Sequence, residues 1–329
     1  MTQAPPATGR RTPWAELPAH VKNALTDKLG AEVTRAETRP GGFSPGVAAS
    51  VTLADGRHAF VKAVSAETNP HSPGLHRAEA RHAAALPPDV PAPRLLATYD
   101  DGTWVALAFE RVPGRQPEVP WRRDELNRVL DAVGELARTL TPAPFDAPPA
   151  VEALAGTFDG WRQLLDQDLV EAAHLDPWTA RNVPALVELA STWAEFASGD
   201  TLAHGDLRAD NMLLTPEGRV VFVDWPHVLR AAPWLDLLLM LPCVAAQGGP
   251  DPEVLFTGHP LGRDADPEGV TRTLAALTGY FLFHAALPDP PGLPTLRSFQ
   301  RAQGEAALAW LKRRLRSRGA SRPLVPDLP

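Results

Sequence analysis

An aspartate and an asparagine stand five residues apart in His204-Gly205-Asp206-Leu207-Arg208-Ala209-Asp210-Asn211, and a second aspartate, Asp224, follows the run Arg219-Val220-Val221-Phe222-Val223. This arrangement meets the needs of phosphoryl transfer from a nucleotide. One carboxylate must orient or receive the proton of an acceptor hydroxyl, and an amide with a second carboxylate must hold Mg²⁺ against the phosphates. Asp206 is the candidate base, because a hydroxyl is a poor nucleophile without a proton acceptor in reach. Asn211 and Asp224 are the candidate metal ligands, since Mg²⁺ takes oxygen donors and keeps waters and substrate phosphates in its shell. Singly, each has a plainer reading as a turn aspartate, a capping asparagine or a strand-end carboxylate.

The loop resembles the H-R-D-x-x-x-x-N catalytic loop of protein kinases, with Gly205 at the arginine position. In this glycine form it is similar to the aminoglycoside phosphotransferase family, kinase-like enzymes that act on small molecules. Asp224-Trp225, in place of Asp-Phe-Gly, also fits that family, and no Ala-Pro-Glu segment is recognisable. The resemblance implies an α+β, two-lobed protein-kinase-like fold. A small antiparallel-sheet lobe with one main helix would sit above a larger, mainly helical lobe. It also implies ATP or GTP as phosphate donor, Mg²⁺ as cofactor, a small-molecule hydroxyl acceptor such as an aminoglycoside, an amino-alcohol or a sugar, and direct in-line transfer. A nucleotide-binding regulatory pseudokinase without transfer is the alternative, against which the intact set Lys62, Asp206, Asn211 and Asp224 counts.

Further residues follow from the same resemblance. Lys62, in Ala59-Phe60-Val61-Lys62-Ala63-Val64, is similar to the kinase strand lysine that meets the α- and β-phosphates, with Glu79 on the next helix as its partner and Glu67 as a weaker one. Gly41-Gly42-Phe43-Ser44-Pro45-Gly46 is a candidate phosphate cover, in which Gly42 and Ser44 stand out. An ordinary glycine-proline turn explains the same residues. Glu110 opens a segment to Gly114 that resembles the purine-binding hinge. His204 is read as bracing the loop and Asp236 as fixing it from the helical lobe. Arg208 is a candidate phosphate contact, or a solvent-facing arginine.

The elements must place these groups together. Leu17, Val21, Leu25 and Leu29 mark one helical face closed by Gly30. Strands are expected over 33–38, 47–53 and 58–64, the last two joined at Asp55-Gly56, with a second hairpin over 94–99 and 104–110. A helix over 76–86 intervenes. Helices are then expected over 124–140, 151–175, 183–198, 235–246, 270–287 and 295–318, with loops over 142–149 and 248–269. The organisation is a disordered tail (1–13), a nucleotide-binding lobe (14–111), a hinge (112–117) and a helical lobe (118–329).

The chain of 329 residues is 44% hydrophobic and 22% charged, with a formal net charge of −7. That balance disfavours nucleic acid as a partner. Cys243 is the only cysteine, which excludes an internal disulfide and fits a cytoplasmic location. No signal-like or membrane-spanning stretch is expected, and no obligate protein partner is evident. The acidic residues Asp159, Asp166, Asp168 and Glu171 are candidates to line a cationic acceptor site, or to form a solvated helix face. The basic run 312–318 reads as a helix end that complements the macrodipole. Trp161, Trp178 and Trp193 read as core.

Overall fold

The structure, a computed structural model, describes residues 4–43 and 45–319. The first lobe runs α1 (Ala19–Leu29), β1 (Val33–Thr38), β2 (Val47–Leu53), β3 (His58–Ser65), α2 (Ser72–Ala85), β4 (Leu95–Asp100) and β5 (Trp104–Glu110). Its strands form one antiparallel sheet in the order β1-β2-β3-β5-β4. Period-two alternation divides that sheet into two faces. Ala59, Val61, Ala63, Ala106 and Ala108 pack with Val21, Leu25 and Leu29 of α1, whose end is capped by Gly30 in the left-handed region. Val105, Leu107 and Phe109 point the other way, against Ala80 and Ala83 of α2. The lobe therefore carries a helix on each face of its sheet. Lys62 lies opposite Ala48 and Leu107 in the register, on the α2 side.

The second lobe contains α3 (Arg123–Thr139), α4 (Ala150–Ala153), α5 (Gly160–Asp166), α6 (Pro177–Ala190) and α7 (Trp193–Ala197). Next come the strands β6 (Thr201–Ala203), β7 (Met212–Leu214), β8 (Val220–Phe222) and β9 (Leu229–Ala231). Helices α8 (Leu235–Ala246), α9 (Pro252–Gly258), α10 (Pro260–Arg263), α11 (Pro267–Ala286) and α12 (Leu296–Gly319) complete it. The short strands pair as β6–β9 and β7–β8. One large core spans the lobe, with α8 buried almost all round.

Four expectations change. The helix expected over 183–198 starts earlier and divides into α6 (Pro177–Ala190) and α7 (Trp193–Ala197). The helix expected over 151–175 is broken, because Asp168 and His174 adopt positive φ (54° and 47°) and Asp176 then caps α6 through Trp178 N and Thr179 N. The loop expected over 248–269 holds α9 and α10, each opening on a proline after a capping side chain, so these prolines start helices rather than break them. Of the expected disordered tail, residues 4–13 instead form a strap laid across both lobes. Ala4 N donates to Ala246 O (2.9 Å), Arg10 N to Gly292 O (2.9 Å) and Thr12 N to Gly46 O (3.0 Å).

Trp161 and Trp193 are core, whereas Trp178 is half-buried under Lys312. The basic run of α12 is anchored within the molecule: Lys312 pairs with Asp176, Arg313 with Asp251 and Arg314 with Glu253. Among the described residues no helix is long and apolar enough to cross a membrane.

Helices α5 and α11 cross at Gly160 and Gly279, where a Cβ on Gly160 would stand 2.3 Å from the Gly279 carbonyl. Alanine is favoured over glycine in a free helix by roughly 1 kcal/mol. Here overpacking against backbone outweighs that gain, and Gly160→Ala is expected to destabilise by about 1–3 kcal/mol. Gly74→Ala in α2, which meets open space, is the control and should be neutral or stabilising. Urea unfolding midpoints read both.

Candidate active site

The two lobes enclose a cleft of about 1170 Å³ that carries Lys62, Glu79, Asp206, Arg208, Asn211 and Asp224 on its walls. At its centre the Lys62 ammonium donates to Glu79 Oε1 and to Asp224 Oδ1, each at 2.7 Å. Glu79 is thus the partner chosen over Glu67, and one side chain joins the two lobes. Burial alone would lower the Lys62 ammonium, but the Asp224 and Glu79 carboxylates outweigh it and keep it protonated. Burial pushes the Glu79 carboxyl up, against the pull of Lys62. Burial also works to raise Asp224, yet Lys62 in contact and Arg208 nearby hold it well below the usual carboxylate range. Asp224 keeps 34% of its side chain open, on the cleft side. It sits at φ 70°, a left-handed conformation uncommon for a residue with a side chain.

The loop after β6 is built on backbone contacts. Both oxygens of Asp236, in the first turn of α8, accept from the N–H groups of His204 (2.7 Å) and Gly205 (2.9 Å). Burial pushes the Asp236 carboxyl up to about 6 despite those bonds. His204 is fully buried; its Nε2 donates to Val223 O (3.0 Å) and its Nδ1 accepts from Asp206 N (3.3 Å). Those partners define the neutral Nε2–H tautomer, and burial holds the imidazole down to about 4. Gly205 has φ 80°, and a Cβ there would stand 2.4 Å from His227 O. Only glycine fits this position.

Asp206 is gripped on both oxygens. Arg208 donates to Oδ1 (2.5 Å) and Asn211 Nδ2 to Oδ2 (3.1 Å), while Nδ2 also meets Asp206 O (2.8 Å). Burial raises the Asp206 carboxyl, and Arg208 opposes the rise. Arg208 is no solvent-facing arginine. It is bidentate to Asp210 (3.0 Å and 3.0 Å) and lies 5.6 Å from the Phe43 ring. With its amide nitrogen on Asp206, Asn211 has its carbonyl oxygen to offer a cation, and Asp224 has the oxygen that Lys62 does not hold.

Gly42, with φ 75°, lines the cleft, and Ser44 lies outside the described residues. Glu110 sits at the rim, its N–H bonded to Arg94 O and its carboxylate to Arg94 Nε at 2.9 Å. The hinge is tied down on the far side: Arg115 and Leu214 exchange backbone bonds, and Arg115 pairs with the buried Glu125.

Sequence reasoning missed several groups on this cleft. Arg11 of the strap donates to Gly41 O and is drawn to Asp224 and Asp210. His82 Nδ1 donates to Trp225 O (2.8 Å), and Tyr280, Phe299, Gln300 and Gln303 wall the far end. No motif marks these; only the tertiary fold brings α11, α12 and the strap to the loop.

A five-stranded lobe over a helical lobe, with a lysine–glutamate pair above an Asp–Asn loop, defines a protein-kinase-like fold. Residues 39–269, more than half of the chain, match the phosphotransferase enzyme family (APH), and the chain belongs to that family. It is 32% identical over 142 residues to an aminoglycoside 3'-phosphotransferase of Streptomyces ribosidificus, a match covering 42% of this chain and 50% of that protein. The chain thus spans about half the length of the curated relatives it matches. Among solved structures it resembles a thermostable mutant of aminoglycoside phosphotransferase APH(4)-Ia in ternary complex with ADP and hygromycin B. The TM-score is 0.58 at 17% identity, with 89% of this chain and 98% of that chain covered. Choline kinase LicA from Streptococcus pneumoniae gives a TM-score of 0.56 at 14% identity, covering 88% of this chain and all of that one.

Two buried groups set opposite pH signatures. An unfolded histidine binds a proton near 6.5, but His204 does not until about 4. Its stabilising contribution is therefore complete above pH 6.5 and lost as pH falls toward 4, on the order of 3 kcal/mol in all. The stability gap between the native chain and His204→Gln should narrow over that interval. Asp236, raised to about 6, holds its proton more tightly folded than unfolded, so its contribution is lost as pH rises through 6. The gap to Asp236→Asn should widen on acidification from pH 7 to 4. Urea unfolding at stepped pH measures both, and parallel trends would contradict the assignment.

Proposed function

We propose that the protein transfers the terminal phosphoryl group of ATP or GTP to a hydroxyl of a small molecule. The observation that carries this reading is the Lys62 bridge to Glu79 and Asp224 directly above an Asp206 held by Asn211, in a chain of the phosphotransferase enzyme family. Both ends of such a transfer have a matching group. Lys62 offers a fixed positive charge to the phosphates, and the N–H groups around Gly41 and Gly42 are free of a Cβ that would keep an anion at a distance. Asp206 is placed to orient the acceptor hydroxyl and accept its proton as the acceptor oxygen bonds to the γ-phosphorus. The bond from that phosphorus to the bridging oxygen breaks, and the electron pair leaves with the nucleoside diphosphate.

Mg²⁺ fits the donor set, because an amide oxygen and a carboxylate, with waters and phosphates completing the shell, are what this ion takes. No group of three or more His, Cys, Asp or Glu able to hold a metal is found among the described residues, and Mg²⁺ does not need one. Asn211 and Asp224 would hold the ion, which when bound neutralises charge on the phosphates. Arg208 opposes the rise that burial imposes on the Asp206 carboxyl and aims it, and Asp236 and His204 fix the loop from behind. The purine edge would meet the backbone that follows Glu110. Relatives named for aminoglycosides, and a fold neighbour holding ADP with hygromycin B, support a hydroxyl-bearing acceptor. A nucleoside triphosphate donor and a lone buried cysteine both suit the cytoplasm.

Acceptor mass gain with Mg-ATP and Mg-GTP tests the reading. Asp206→Asn should lower kcat about 10³-fold, within the range usual for removing a general base, and leave nucleotide affinity nearly unchanged. Lys62→Met should instead weaken nucleotide binding as well as turnover. Nucleotide binding with no transfer to any acceptor would favour a regulatory pseudokinase, and no nucleotide binding would sink both.

A further inference from the structure

The strap reaches the cleft through one side chain. Its backbone meets the far end of the glycine loop, where Thr12 N donates to Gly46 O (3.0 Å), Gly46 N donates to Arg10 O (3.4 Å), and Arg11 and Gly46 form a parallel bridge. The Arg11 guanidinium meets the near end of the same loop, donating from Nη2 to Gly41 O. A Cβ on Gly42 would stand 3.0 Å from that nitrogen. A single residue thus ties both ends of the loop together. The strap is itself fixed to the helical lobe. Ala4 packs in one cluster with Cys243 and Ala246, Thr8 Oγ1 shares a hydrogen bond with Thr295 Oγ1 (3.0 Å), and Arg10 N holds Gly292 O.

Residues 159, 166, 168 and 171 do not line the cleft, and Asp159 pairs with Arg162 at 3.4 Å, so the charges that meet a ligand come from other segments. Lys62 divides its ammonium between Glu79 and Asp224, and Arg208 divides its guanidinium between Asp206 and Asp210. Arg11 is half-buried on the cleft wall and held through a carbonyl. Burial works against its charge, while Asp224 and then Asp210 favour it. Taking a guanidinium out of water is expensive, and its planar fork of donors is well matched to a phosphate. Position decides which phosphate. Asp224 is the candidate metal ligand, and Asp210 shares Arg208 with Asp206. A cation drawn to both stands where the reacting phosphate must come within reach of Asp206. Lys62, on β3, is the group that the resemblance gives to the α- and β-phosphates.

We infer that Arg11 binds the terminal phosphate of the nucleotide, completing from the strap a site whose other walls are Gly41, Gly42 and Lys62. The inference rests on the phosphotransferase reading and deepens it. The match to the family begins at residue 39, so this group comes from a segment outside the matched part. A guanidinium can donate to the Gly41 carbonyl and to a phosphate at once, and it offsets charge that spreads over the phosphoryl oxygens during transfer.

The test is calorimetric binding of AMP-PNP and ADP, with GMP-PNP and GDP in parallel, all with Mg²⁺ and on the full chain. The native chain should bind the triphosphate analogue more tightly than the diphosphate. Arg11→Ala should weaken the triphosphate analogue about tenfold or more, the usual worth of a charge-assisted hydrogen bond, and the diphosphate less than about twofold. Arg11→Lys, which keeps the charge, should recover part of that loss. Arg10→Ala, which removes an exposed arginine of the same strap, should change neither constant. An Arg11 that merely shaped the glycine loop would serve both nucleotides alike. Equal losses on the two, or no loss on either, therefore overturn the inference and leave the phosphotransferase reading standing. No binding of any of these nucleotides to the native chain overturns that reading and this inference with it.

Discussion

The Lys62 ammonium is the point on which the rest of the structure depends. Among the described residues it is the one contact at which a strand of the sheet lobe, a helix of the same lobe and the segment after β8 meet through charge. Burying three charged groups is expensive, and a buried pair is rarely more stable than well-packed apolar residues of the same size. Such a cluster makes sense when the charges are needed by something that enters the cleft. Two carboxylates flank one ammonium, so the cluster has negative charge in excess and an opening toward the cleft on the Asp224 side. A cation arriving there finds a carboxylate already ionised and held in place.

The loop beside it is made rigid by a different economy, with backbone amides as the fixed points. Asp236 takes two successive N–H groups, and His204 reaches across to Val223, the residue before Asp224. The position of Asp206 is therefore coupled to that of Asp224 through one imidazole ring. Gly205 completes the coupling, because the close approach of His227 O leaves no room for a side chain. The arginine found at this position in the protein-kinase loop has no space here, and Arg208, two residues beyond Asp206, supplies the guanidinium instead.

Much of this was legible in the sequence, for physical reasons. Strong period-two runs with a glycine turn between them place β2 and β3 to within a residue, and the apolar stretch 235–246, interrupted by Asp236, gives α8 at its observed bounds. Charged residues within or at the ends of apolar strands, Lys62 and Asp224, stand out because hydration would otherwise keep them at the surface. The misreadings share one cause: local signals carry two meanings. Proline marks both a broken helix and the first turn of one, and α9 and α10 use the second meaning. A proline-rich tail lacks an apolar period whether it is free or strapped down. The N–H groups of Ala4, Arg10 and Thr12 bond to carbonyls of residues 246, 292 and 46, and no local pattern announces such distant partners.

The strap and the hinge together explain how two lobes joined by one short segment keep a common cleft. At the hinge, Arg115 pairs with a glutamate buried at 1% exposure, while its backbone is bonded to β7 beside the loop that carries Asn211. On the opposite side the strap runs from Ala246 at the end of α8 to Gly46 at the start of β2. α8 also supplies Asp236, so the helix that fixes the loop from below holds the strap that reaches the glycine loop above. Arg11 ends this path beneath Gly41 and Gly42, drawn to Asp224 and Asp210. The glycine loop is thereby attached to the helical lobe twice, through Arg11 and through Phe43 on Phe299. Movement of that loop must disturb both the Lys62 end of the cleft and the end walled by α11 and α12.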